Sequence, residues 1–198
     1  MISCFKGKFK VTSIRGNRVL GGVTEYHGGL DLVALGSDKS IYAIADGVID
    51  ATPYEANGFG YYVRQLLSDG RRVYYGHMKA GSICLKSGQA VKKGDKLGVM
   101  GSTGKSTGAH THLELRPKGT SKTSLDISEF TGIPNKIGTY ECDKEVQSMT
   151  AEEKHAYAVK CACDVEDKCG LSKDTIKWLW TYKFSEDLFI KLAEGMKK

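Results

Sequence analysis

The chain has 198 residues, enough for one large domain or one domain with a small appendage. With 40% hydrophobic and 26% charged residues it is neither disordered nor membrane-spanning, and no apolar run approaches the ~20 residues of a bilayer crossing. Its 24 Gly and 3 Pro point to tight turns between many short strands.

The net charge of +6 is unevenly placed. Up to Tyr140 there are 19 Lys and Arg against 11 Asp and Glu; beyond it the balance is mildly acidic. A basic domain suits an anionic polymer, and on charge alone a nucleic acid and a bacterial wall are both candidates. The six cysteines are irregularly spaced and read as free thiols. The first ten residues lack the apolar stretch of a secretory signal, so the expectation is synthesis in a cytoplasm.

From Phe9 to about Arg116 the pattern is β. Ser40–Ala45 is a short apolar run closed by Asp46-Gly47. The segments 60–67 and 71–77 flank Ser68-Asp69-Gly70 and read as a hairpin. Turn residues separate short apolar pieces over 89–101. His110–Arg116 alternates with period two, a half-buried strand ended by Pro117. Residues 117–148 read as a polar connection with little regular structure. At Thr150 the texture changes: Thr150 and Glu153 form a capping box, and Ser172 and Ser185 can cap two further helices. The expected organisation is a β domain over 1–140, a linker over 141–149 and a small three-helix domain over 150–198.

Four of the five histidines fall in the β region. His110 and His112 are two apart in a strand and project from one face. His27 and Asp31 are four apart around Gly28 and Gly29, which can bend the backbone so that both side chains converge. Two imidazoles, one carboxylate and a water complete a tetrahedral zinc site with an open position, the catalytic pattern. His77 closes the second strand of the hairpin. If it faces the same cleft, spare imidazoles are available to take a proton from zinc-activated water and to hydrogen-bond an oxyanion. Glu114 shares the face of His110 and His112; it reads equally as a partner orienting an imidazole or as a strand-edge carboxylate.

These residues resemble the lysostaphin/LytM-type zinc metalloendopeptidases of bacterial peptidoglycan. The resemblance rests on His27-x-x-x-Asp31, on His110-x-His112 within the glycine- and serine-rich segment 101–116, and on Gly47-Val-Ile and 91–98; it covers roughly residues 8–140. It implies a mainly β fold, a curved antiparallel sheet with the site in a groove roofed by loops. It implies one Zn2+ on His27, Asp31 and His112, with His110 as general base and His77 as second catalytic imidazole. Some relatives carry a transition-state-stabilising Tyr about six residues before the first ligand; here that position is Gly21, and Tyr26 is the substitute candidate for contact with substrate. The implied partner is peptidoglycan, with no nucleic acid and no membrane, acted on by a monomer. The absent leader and the appended domain resemble a phage endolysin, made in a host cytoplasm and acting at the wall after release. The competing function is a non-catalytic wall-binding or activator module; the filled ligand positions argue against it. The segment 100–107 looks like a phosphate loop, but the first required glycine is Val99.

Overall fold

A computed structural model describes residues 1–119, 123–142, 158, 159 and 175. The chain divides into two compact units, Met1–Asp143 and Lys144–Lys198. The expected tail helices and most of the expected linker lie outside the described residues, and every element below belongs to the first unit.

In chain order the strands are β1 (Lys8–Ser13), β2 (Gly16–Leu20), β3 (Val23–His27), β4 (Leu30–Ala34), β5 (Ser40–Tyr42), β6 (Gly47–Ala51), β7 (Tyr54–Glu55), β8 (Gly60–Leu66), β9 (Arg72–Met78), β10 (Ala90–Val91), β11 (Lys96–Val99) and β12 (Thr111–Arg116). A short helix α1 (Ile127–Thr131) and strand β13 (Gly138–Glu141) follow. The main sheet has the order β10-β6-β8-β9-β12-β4-β1-β13, with β7 on β8, and all its pairs are antiparallel. The domain is mainly β, as the sequence implies. Among the described residues, no helix is long and apolar enough to cross a membrane.

The core lies under one face of this sheet. Phe9, Val11, Leu30, Leu32, Val73, Tyr75, Leu113 and Leu115 alternate inward from four neighbouring strands and join Ile41, Ile44, Leu97 and Phe5. Tyr75 is fully buried because its hydroxyl is satisfied: it donates to Gln65 Oε1 at 2.7 Å and accepts from the Ile44 amide at 3.0 Å. The 60–77 hairpin forms as β8 and β9.

Two expectations change. Strand β12 is buried on both faces, not half-buried: His112 and Glu114 on the face opposite Leu113 and Leu115 are as inaccessible as the core. Alternation reports two chemically different faces, but polar residues on one of them need not meet water when they partner each other. The 117–148 connection also holds regular structure. Asp126 caps α1 by accepting from the Ser128 amide at 2.8 Å, and Gly132 ends it in the left-handed region. β13 pairs along β1 through Tyr140 opposite Phe9. Both elements are too short to show a period.

Candidate metal centre and active site

Adjacent strands bring the first group together. β3 ends on His27, two glycines turn the chain, and β4 carries Asp31 directly opposite His112 of β12. Neither Gly28 nor Gly29 has a positive φ. Their role is room: a Cβ on Gly28 would meet the Glu114 carboxylate, and one on Gly29 would strike the Leu113 carbonyl and approach His112 Nε2. The bend expected of these glycines is thus a close approach between the turn and β12.

His27, Asp31 and His112 are all buried, and one ligand atom of each falls within 4.8 Å of the others. His27 Nε2 lies 3.0 Å from Asp31 Oδ1 and 2.9 Å from His112 Nδ1, which is itself 3.0 Å from the same oxygen. The other ring nitrogens are committed. His27 Nδ1 donates to the Ile14 carbonyl at 2.7 Å, and His112 Nε2 donates to Glu114 Oε2 at 2.9 Å. In their neutral forms both imidazoles therefore present a lone pair to the centre, beside a carboxylate oxygen. Three acceptors facing one another require a cation, and two imidazoles with one carboxylate are a zinc donor set.

The electrostatics agree. Burial alone would raise Asp31, but hydrogen bonds with His112 and His27 outweigh it and hold the carboxyl far below the usual range. Burial opposes a charge on His112 too, yet Asp31 and Glu114 outweigh it and pull this imidazole up to about 9. Burial likewise works against ionised Glu114; His112 and Arg116 keep it low. A divalent cation and the His112 proton compete for the same position.

His110 and His77 stand beside this triad. His110 precedes β12, bonds through Nδ1 to the Gly108 carbonyl at 2.8 Å, and places Nε2 3.6 Å from Asp31 Oδ1. The His77 ring lies 4.6 Å from that of His110 and 6.1 Å from that of His112. Strict alternation along β9 would send His77 into the core after Val73 and Tyr75. Instead β9 carries an extra residue between the pairs Tyr75–Val63 and Met78–Tyr61, and His77 has φ 58°, alone among non-glycine described residues. This bulge re-aims the ring. Two hydrogen bonds hold it: the His77 amide to Phe59 O at 2.7 Å, and Nδ1 to Thr103 O at 2.8 Å. Burial pushes His77 down to about 4, so it is neutral at physiological pH. With its one proton on Nδ1, it offers Nε2 as an acceptor and can donate to an oxyanion only after protonation.

Tyr26 is exposed, and the Arg15 guanidinium lies over its ring at 5.5 Å. Glu114 takes the orienting position rather than a strand edge: it holds His112 on one oxygen and Arg116 on the other. Arg18 is a site residue the sequence reading does not find. It contacts Asp31 Oδ2 from β2 at 3.0 Å. Its signal is the pseudo-symmetric hairpin around Gly21-Gly22, which sets Arg18 opposite Glu25.

A buried three-ligand metal site with two adjoining imidazoles, on an antiparallel sheet, is the architecture of a metallopeptidase. Residues 25–124 match Peptidase family M23, and the chain belongs to that family. It is 30% identical over 141 residues to the peptidoglycan DD-endopeptidase ShyA of Vibrio cholerae, covering 68% of this chain and 31% of that one. Among solved structures it is similar to the catalytic domain of the prophage-encoded M23 protein EnpA of Enterococcus faecalis, with TM-score 0.54 and 32% identity over 63% of this chain and 93% of that one. The catalytic domain of lysostaphin, an antimicrobial peptidase of Staphylococcus simulans, gives TM-score 0.54 and 27% identity over 62% and 91%. The chain spans less than a third of the length of the curated relatives it matches.

Proposed function

We propose that this chain is a zinc-dependent endopeptidase that hydrolyses peptide bonds in bacterial peptidoglycan cross-links or stem peptides. The observation that carries this reading is the convergence of His27 Nε2, His112 Nδ1 and Asp31 Oδ1, with both tautomers held by outer partners. That ShyA is a peptidoglycan DD-endopeptidase supports the substrate class, and that lysostaphin is an antimicrobial peptidase supports action against bacteria.

Zinc on this triad supplies Lewis acidity, acidifying a water and polarising the scissile carbonyl. His110 acts as the general base: its Nδ1 is bound to Gly108 O, so Nε2 takes the proton and later returns it to the leaving amine. The imidazolium so formed faces the Asp31 carboxylate at 3.6 Å. Neutral His77 supports the transition state by accepting a hydrogen bond at Nε2 from the attacking water, which it helps to orient beside His110. Tyr26, exposed beside His27, is the candidate contact for the substrate chain. In this reading the protein acts as a monomer, is made in a host cytoplasm and reaches the wall on release. Residues 150–198 are assigned the role of targeting or stabilising it.

The test is digestion of purified peptidoglycan from several bacteria with mass spectrometry of the soluble fragments, run beside His110→Ala and a chelated sample. New amino termini at one stem or bridge position, lost in both controls, are expected. Intact walls with zinc bound would move the assignment to the non-catalytic wall-binding or activator module.

A further inference from the structure

The two oxygens of Asp31 have different partners. Oδ1 faces His27 and His112, each at 3.0 Å, and Oδ2 lies 3.0 Å from Arg18 Nη1. The guanidinium is fixed on its other edges. Nε and Nη2 donate to Glu25 Oε1 at 3.0 and 2.8 Å, and Nη1 also donates to Ser13 Oγ at 2.8 Å. Glu25 is held in turn by Lys105 Nζ at 2.9 Å from the loop preceding His110. A line of alternating charges, Lys105–Glu25–Arg18–Asp31, thus ends on the far oxygen of a metal ligand.

A free carboxylate can offer a metal one oxygen or both. Two oxygens add a donor, fill a coordination position and weaken the Lewis acid. We propose that Arg18 is a positioning residue that keeps Asp31 a one-oxygen ligand, preserving an open position for the reacting groups. This rests on the metal-site reading above. Arg18 does so by holding Oδ2 in a charge-assisted hydrogen bond that two-oxygen coordination would have to break. The planar fork is needed because the same side chain must grip Glu25 with one edge and Asp31 with the other. A lysine ammonium keeps the charge but not that paired geometry.

Cobalt(II) replaces zinc as the probe, since its visible absorption is strong in four-coordinate sites and weak in five-coordinate ones. Wild type, Arg18→Gln, Arg18→Lys and Glu25→Gln are each titrated with Co2+ and assayed on peptidoglycan. The expected Arg18→Gln result is a several-fold weaker visible band and a kcat about 10- to 100-fold lower at nearly unchanged KM. Arg18→Lys recovers only part of the band, and Glu25→Gln shifts it the same way by less. If Arg18→Gln binds Co2+ with the wild-type spectrum, the assignment is overturned, whatever its melting temperature. If wild type itself binds no Co2+, the metal site fails instead, which separates the two outcomes. Should Arg18→Gln not fold, Glu25→Gln decides alone: an unchanged spectrum and kcat overturn the proposal.

Discussion

The Leu113 carbonyl oxygen occupies the space a Cβ of Gly29 would need, so the turn between two ligands lies flush against the strand that carries the third. Gly29→Ala must therefore push β4 away from β12, where Asp31 and His112 face each other. We expect a loss of about 1–3 kcal/mol, together with metal affinity lowered by an order of magnitude or more. Gly108→Ala, in the same region but with open space around it, should be near neutral. Thermal melts and chelator-competition titrations of both variants check this.

Metal and proton compete at His112, which is held up to about 9. Below that pH the ligand is protonated in the metal-free protein, so binding must displace one proton. The apparent Kd for zinc should rise about tenfold for each unit the pH falls from 8 to 6. Calorimetry in buffers of different ionisation enthalpy should show about one proton released. A Kd that stays flat across this range would be incompatible with the tautomer arrangement described above.

Glu114 fixes which nitrogen of His112 is free. Glu114→Ala should weaken metal binding about 10- to 100-fold and leave Arg116 without its carboxylate partner. Glu114→Gln retains an acceptor for Nε2–H and should lose less. Equal losses in the two variants, read as zinc Kd, would assign Glu114 a role in charge alone.

Opposing effects meet at His77. Its left-handed backbone costs about 1–2 kcal/mol, which glycine would relieve, while the Thr103 hydrogen bond it would surrender contributes about 1 kcal/mol. His77→Gly should melt close to wild type at pH 7 yet lose about 10²–10⁴ in kcat. Because burial lowers this imidazole to about 4, unfolded chains bind its proton first, and wild-type stability falls as pH drops from about 6.5 toward 4. The variant lacks that term, so its relative stability should improve over the same interval in pH-resolved denaturation.

Much of the site was legible in the chain because two of its spacings match a strand or a turn. His110 and His112 share a face by alternation, and the His27–Asp31 turn announces itself by its paired glycines. The rest depends on geometry without a local signature. His77 reaches the site only because an extra residue in β9 breaks alternation, and periodic reasoning places it on the core side. Arg18 reaches Asp31 from a hairpin whose charges look like surface decoration. The helix α1 and strand β13 were hidden by length, five and four residues offering no period to read.

The pairing of Asp31 with His112 has a consequence for assembly. The two residues are 81 positions apart in sequence yet directly opposite across a strand pair. An ion shared between them would close a loop through most of the domain, and because the site exists only once that loop is closed, the ion stabilises the folded chain by binding it and not the unfolded one. Metal loading would thus depend on completed long-range strand pairing, making it a late event in folding and a clock for the maturation of the domain.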